Sequence, residues 1–322
     1  MWATRIESAL EDNRFVLFAQ DIMPIARDIP NESASPDSDA SAISHSDTSY
    51  SATGHPDIAA NHLASRHHHC EILVRMTDRD GAIVPPMAFI PAAERYGLMP
   101  QIDRWVVKAF FRQYREVCPL STPHGCDRVF AINLSGKSLS DESFFQFLER
   151  ELTQSDLNPE HLCFEITETA AIANLSAATE FIHKLKQLGC KFALDDFGCG
   201  MSSFSYLKRL PVDYLKIDGS FIKSIDRDPI DRVMVESFIQ IARVLGIQTI
   251  AEFVENEGIL AILTELGADF AQGYGIGKPA PLKFARLNSH LPVLSPARAE
   301  RASIPQTVSL TSNRHRSAFE GG

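Results

Sequence analysis

The chain has 322 residues, 44% of them hydrophobic and 22% charged, which is enough apolar material for one large domain or two small ones and excludes whole-chain disorder. Its 31 basic and 41 acidic residues leave a formal net charge of −10, which argues against a protein that wraps a nucleic-acid polymer. No run approaches the ~18 apolar residues that span a bilayer, and the opening MWATRIESALEDNRF lacks a signal-peptide core. Cys70, Cys118, Cys126, Cys163, Cys190 and Cys199 show no CxxC spacing. They read as reduced thiols in a cytoplasm, not as a disulfide frame or a zinc site.

In chain order, the first β-rich run is RFVLFAQDIMPI. Residues 30–69 follow, with nine Ser, seven Ala and four Asp and almost nothing to bury. Such a composition cannot offset the entropy of ordering the chain, so the segment reads as a flexible insertion. Deleting most of it is expected to leave the thermal midpoint nearly unchanged; a loss of several degrees would mean that it packs on the domain. His67, His68 and His69 at its end read as incidental, because adjacent histidines on a flexible segment fix no metal geometry. Seven further β-rich runs are CEILVRM, RVFAINLS, LCFEITE, KFALDDFG, YLKIDG, QTIAEFVE and FAQGYGIG. Between them lie amphipathic stretches such as DRWVVKAFFRQYREV, DESFFQFLERELT, NLSAATEFIHKLKQLG, DPIDRVMVESFIQIARVLG and NEGILAILTELG. Gly189, Gly246 and Gly267 close three of these, as helix C-termini prefer. Repeated strand–helix alternation predicts parallel β-α units, and eight strands favour a closed TIM-like (β/α)8 barrel over an open sheet. The tail at 295–322 has no sustained period and reads as mobile. Removing both segments leaves 254 residues, close to the ~250 of such a barrel, formed by residues 1–29 and 70–294.

The polar residues gather at one place. Glu71 opens CEILVRM, Asn133 ends FAIN, and Glu165 and Glu168 sit in FEITE. Asp195 and Asp196 end FALDD, Lys216 lies in YLKID, Glu252 and Glu255 end TIAEFVE, and Gln272 lies in FAQGY. Each alone is an ordinary strand-end residue facing solvent. Seven strands delivering such groups to one rim point to the carboxyl face on which parallel barrels carry their active sites. There Glu71, Glu165, Asp195, Asp196 and Glu252 would converge, opposed by Lys216 and Arg75. Unpaired buried carboxylates are costly, and the usual remedy is a bound cation. Oxygen donors from Asp, Glu and Asn select hard ions, Mg²⁺ or Mn²⁺, with Ca²⁺ as a competitor. Five acids and an amide exceed the needs of one ion, so two ions are expected, a device for hydrolysing phosphate esters. Period-two geometry puts Glu71, Leu73 and Arg75 on one strand face, and Lys216 with Asp218 on another. Asp195 and Asp196 would oppose each other on an ideal strand; Gly198 and Gly200 permit a turn that could bring both inward.

The strings EILVR, INLS, FEITET, DDFGCG, YLKIDG, AEFVE and AQGYGIGKP, in this order, resemble the EAL-domain family of cyclic di-GMP phosphodiesterases, from about Arg5 to Leu282. The resemblance implies hydrolysis of cyclic di-GMP to linear pGpG with two Mg²⁺ or Mn²⁺ ions, and inhibition by Ca²⁺. It implies that Glu71, Asn133 and Glu165 hold one ion, that Asp195 bridges the two, and that Asp196 belongs to the second, with Gln272 acting through water. Lys216 would hold the attacking water, and Glu252, beside the metals, would activate or position it. Gln20, Leu73, Arg75, Asp196, Glu255, Gln272 and Pro279 would contact the nucleotide, with Arg75 clamping a phosphate. Glu168, Gly198, Gly200 and Asp218 would support the loop DDFGCGMSSFSYL, which in this family links the metals to dimerisation. A homodimer and an upstream GGDEF or sensory domain are implied as partners.

This sequence departs from the family pattern at Asp21 (proline is usual), at Cys199 and Met201 in the loop, and at Phe253 (glycine is common). None removes a metal position. The Cys199 thiol reads as a plain small-residue replacement, since no basic partner is evident. The main alternative is a catalytically silent EAL domain that serves as a cyclic di-GMP receptor; such domains usually lack one of these acids, and here all are present. A glycerophosphodiester-type barrel would need histidines at the strand ends, and none lies there.

Overall fold

The structure, a computed structural model, describes residues 2–25, 68–117, 128–200 and 204–282. Its strands are β1 (Phe15–Pro24), β2 (His68–Thr77), β3 (Ile83–Val84), β4 (Arg128–Asn133), β5 (Leu162–Thr167), β6 (Lys191–Phe197), β7 (Tyr214–Ile217), β8 (Gln248–Ala251), β9 (Phe270–Gln272) and β10 (Ala280–Pro281). The sheet runs β10-β1-β9-β8-β7-β6-β5-β4-β2-β3, and an additional β1–β2 pairing closes eight of these strands into a barrel. The two-residue β3 and β10 add to its margins by antiparallel pairing with β2 and β1. The eight β-rich runs of the sequence are the eight barrel strands.

Uniformly parallel units are not what forms. Strand β1 pairs antiparallel with both β2 and β9, whereas the pairs from β2–β4 round to β8–β9 are parallel. Alternating apolar residues mark a strand identically in either direction, so the pattern could not reveal the reversal. The reversal has a consequence for position. Gln20 lies opposite Glu71 and Ile22 opposite His69, so β1 descends from the carboxyl rim to the opposite one. Ile25 and His68, which flank residues 26–67, therefore sit at that opposite rim, His68 about 10 Å of strand from Glu71. The attachment of this segment is thus remote from the site mouth; residues 26–67 themselves, like the 295–322 tail, lie outside the described residues.

His68 and His69 belong to β2 and not to the insertion, which corrects the expected boundary. His69 is only 2% exposed, with its ring centroid 4.7 Å from that of Tyr214 and 4.5 Å from that of Phe270. It fills the barrel floor.

Two apolar layers result from the alternation. Ile22, Val129, Ala131, Cys163, Ala193, Tyr214, Ile250 and Phe270 fill the barrel interior. A larger cluster packs the outer strand faces against the helices. The helix Pro229–Leu245 shows how these helices are specified. Asp228 accepts from the Ile230 amide at 2.8 Å, Pro229 opens the first turn, and Gly246 closes the last at φ 72°. Val235, Phe238, Ile239 and Ala242 recur at helical spacing and are its buried stripe. The helix Pro86–Tyr96 opens on Pro86, where the missing N–H would have no intrahelical partner, and Gly97 closes it at φ 73°. None of the helices of the described residues is long and apolar enough to cross a membrane.

Candidate active site

The candidate residues continue the interior layer by one strand period. Val129 and Ala131 lead to Asn133, Cys163 to Glu165, Ala193 to Asp195, Tyr214 to Lys216, Ile250 to Glu252 and Phe270 to Gln272. His69 leads likewise to Glu71, and on the reversed β1 Gln20 stands two residues before Ile22. Each strand thus puts a polar group directly above the apolar plug, at the carboxyl rim. Glu71, Glu165, Asp195, Lys216, Gln272 and Gln20 are buried.

Lys216, 1% exposed, organises the charge. Its Nζ lies 2.9 Å from Glu252, 3.0 Å from Asp195, 3.1 Å from Glu165 and 3.9 Å from Glu71. Four carboxylates share one ammonium, and the balance differs at each. Burial would raise Glu71, but Lys216 and hydrogen bonds from Gln272 (2.6 Å) and Asn133 (2.6 Å) outweigh it and hold this carboxyl below its ordinary value. Burial wins at Glu165, which is held well above the ordinary carboxylate range despite Lys216. Burial also pushes Glu252 up to about 8 and Asp196 to about 6, the latter assisted by Asp195 and Asp218. The acids raise Lys216 well above its usual value against the effect of burial, so it is a fixed cation. Arg75 turns elsewhere: it donates to the Val74 carbonyl at 2.9 Å and lies over the Phe18 ring.

The chemistry of the donors fits metal binding. Carboxylate oxygens of Asp195, Asp196 and Glu252 lie within 4.8 Å of one another, an acidic cluster that could hold a metal ion. Glu165 Oε1 and Gln272 Oε1 are buried among the described residues with no hydrogen-bond partner, acceptors left for a further cation or water.

The adjacent aspartates reach the same side by a different route from the expected glycine turn. Asp196 itself adopts φ 54°, and the β6–β7 register shifts between Leu194 and Phe197. A bulge re-aims the side chain that an ideal strand would turn away. The glycines serve Glu168 instead. Its Oε2 accepts from the amides of Gly198 (3.1 Å) and Gly200 (3.0 Å), and Oε1 accepts from the Tyr206 hydroxyl. A Cβ on Gly200 would lie 2.7 Å from the Glu168 carboxyl carbon, so only glycine lets the loop approach. Removing the hydroxyl with Tyr206→Phe should cost ~1–3 kcal/mol in denaturant unfolding, because a buried carboxylate loses its donor; an unchanged midpoint would show that water replaces it. Asp218 caps the short helix Gly219–Ile222 through the Ser220 amide at 2.8 Å. The Cys199 thiol is pushed up to about 11, first by burial and then by a hydrogen bond with Asp218. Met201 lies outside the described residues. The Asp21 carboxylate, where proline was usual, pairs with buried Arg128 at 2.8 Å.

A cavity of about 320 Å³ opens beside the acids, and Gln20, Leu73, Arg75, Glu255, Gln272 and Pro279 all line it. A second cavity of about 540 Å³ shares Leu73 and Arg75 with it and reaches Asn133. Sequence reading missed two aromatic residues of the first cavity wall, Phe253 and Tyr274. It also missed buried Asp103, which accepts from the Ser135 amide (3.0 Å), the Ser135 hydroxyl (2.6 Å) and the Ser138 hydroxyl (2.7 Å). This carboxyl, raised to about 6 by burial, fixes the turn that follows Asn133. An acid on an amphipathic helix carries no sign of such a role.

A profile of the EAL domain matches residues 59–279. The chain belongs to the EAL domain family. The chain is 37% identical over 281 residues to the cyclic di-GMP phosphodiesterase PdeB of Shewanella oneidensis, covering 87% of this chain and 28% of that protein. It is 41% identical over 212 residues to the cyclic di-GMP phosphodiesterase PdeA of Borreliella burgdorferi, covering 66% and 31%. The chain therefore spans less than a third of the length of these relatives. Among solved structures, the FimX EAL domain from Pseudomonas aeruginosa bound to c-di-GMP has a TM-score of 0.69 at 27% identity, covering 87% of this chain and 96% of that one. The PaMucR phosphodiesterase in its c-di-GMP complex also gives 0.69, at 30% identity, with 87% and 97% covered.

Proposed function

We propose that this EAL domain is a metal-dependent phosphodiesterase that hydrolyses cyclic di-GMP to linear pGpG. The observation that carries the reading is the shared acidic layer, with four carboxylates on Lys216 and Asp196 beside them, next to a cleft lined by Arg75 and two glutamines. The names of PdeB and PdeA support the substrate. Glu71, Asn133, Glu165, Asp195, Asp196 and Glu252 would hold two Mg²⁺ or Mn²⁺ ions, with Gln272 beside them. Such ions supply Lewis-acid stabilisation of the charge that develops on a phosphate.

The chain's own residues do the rest. Arg75, with Gln20, Leu73, Glu255 and Pro279, holds the nucleotide so that one phosphate faces the acids. Lys216 orients the attacking water, and Glu252 takes its proton as the new P–O bond forms and the P–O3′ bond breaks. The O3′ leaving group then collects a proton from solvent. Positive charge added at the cluster lowers the Glu252 carboxyl from its burial-raised value and makes it available as a base.

The test is purified protein with cyclic di-GMP and Mg²⁺ or Mn²⁺, with pGpG followed by chromatography. Turnover that stops on chelation, and that Ca²⁺ inhibits, supports the reading. Tight nucleotide binding without any pGpG would replace it with a receptor. A homodimer, an upstream GGDEF or sensory domain and a cytoplasmic setting belong to the same proposal. The relative MucR, named as a bifunctional diguanylate cyclase/cyclic di-GMP phosphodiesterase, supports the first of these domains.

A further inference from the structure

Phe253 stands directly after Glu252 and adopts φ 51°, the left-handed region that a bulky residue rarely occupies. Its neighbours are shaped to keep it there. A Cβ on Gly219 would overlap the Phe253 ring, so that glycine leaves the space the ring fills. The Lys223 ammonium lies 3.9 Å over the ring centroid, within cation–π range. Yet the ring is not buried. It is 48% exposed and forms part of the wall of the 320 Å³ cavity, together with Arg75, Glu252 and Gln272. A strained, exposed aromatic gripped from one side gains nothing for the core that a glycine in relaxed geometry would lose. Strain of this kind persists where a site uses it.

We propose that Phe253 is a specificity-determining residue whose ring is the stacking platform for one purine base of the dinucleotide. The inference rests on the phosphodiesterase reading and deepens it. A purine presents a π-face that an aromatic ring accepts, while Arg75 on the same wall is placed for the adjoining phosphate. The Lys223 cation polarises the ring from beneath and holds its tilt. Tyr274, 64% exposed on the same wall, is the competing platform that the experiment must separate.

The probe is a cyclic dinucleotide with 2-aminopurine in place of one guanine, whose fluorescence is quenched by stacking. Binding is measured in Ca²⁺ and turnover of cyclic di-GMP in Mg²⁺. Phe253→Leu keeps an apolar side chain but removes the π-face. It should weaken binding roughly ten-fold, raise KM in proportion with the smaller loss in kcat, and abolish the quench. Phe253→Tyr should retain both affinity and quench, which guards against a loss that merely reports misfolding. Affinity within two-fold of the unmodified protein for Phe253→Leu, or a quench lost only in Tyr274→Leu, would overturn the proposal. Unmodified protein that binds no cyclic dinucleotide would instead overturn the activity reading, and the platform with it.

Discussion

Glu252→Gln should lower cyclic di-GMP turnover by ~10²–10⁴-fold, the usual contribution of a positioned general base, while nucleotide affinity stays within a few-fold. The amide keeps the shape of the side chain and can still meet Lys216, whose Nζ is 2.9 Å from Glu252 Oε1. It cannot accept a proton from water. Affinity has reason to rise slightly, because one negative charge facing the phosphate is removed. Arg75→Ala is the contrasting variant. Its guanidinium lines the cleft and touches none of the clustered acids closely, so its loss should appear mainly in KM. Calorimetry in Ca²⁺ beside initial rates in Mg²⁺ separates the two. An unmodified rate for Glu252→Gln would remove this residue from the chemistry.

Much of this site was legible before the fold because a barrel strand encodes position arithmetically. Apolar residues two apart set the inward face, and the next polar residue on that face must reach the rim, as with Phe270 and Gln272 or Tyr214 and Lys216. Three features were not legible, each for a physical reason. Strand direction leaves no trace in period two, so the reversal of β1, and with it the remote attachment of residues 26–67, came only from the pairing. The paired aspartates depend on a local dihedral, φ 54° at Asp196, in a residue type that tolerates it without requiring it. Asp103 and Tyr206 act through contacts 32 to 38 residues distant in sequence, and neither has a neighbouring residue that announces its partner. Phe253 is the intermediate case. Its departure from glycine was visible, but its place on the cavity wall beside Lys223 was not.

The metal-free protein should lose stability as pH rises from about 5 to 8.5, and Mg²⁺ should oppose that loss. In the folded state Glu252 titrates near 8, Asp196 near 6 and Glu165 well above the carboxylate range, each raised chiefly by burial. The unfolded chain releases the same protons near the ordinary value of 4.5 for Glu and 3.8 for Asp. Between those limits the folded state binds more protons than the unfolded one, so the unfolding free energy falls with rising pH. Glu71 has the opposite sign, since its lowered value stabilises the fold above the unfolded value and not below it. Its contribution is complete by neutrality and cannot offset losses near pH 8. Glu252 alone is unmatched over about three pH units, worth ~4 kcal/mol at ~1.4 kcal/mol per unit, and a domain of this size shifts ~2–4 °C per kcal/mol, so a drop on the order of 10 °C is expected. Divalent ions compete with protons for these oxygens and bind the folded state alone. At 100-fold excess over Kd they add ~2.7 kcal/mol, more at pH 8 than at pH 6. Melting curves with chelator and with Mg²⁺ should therefore diverge as pH rises. Ca²⁺ should stabilise as well without supporting turnover, because it favours more ligands and longer bonds. Glu252→Gln should flatten the chelator profile near pH 8, where the group it removes would have titrated. A chelator profile that rose from pH 6 to 8.5, or a midpoint indifferent to Mg²⁺ at pH 8, would mean that these carboxylates share their charge in some other way.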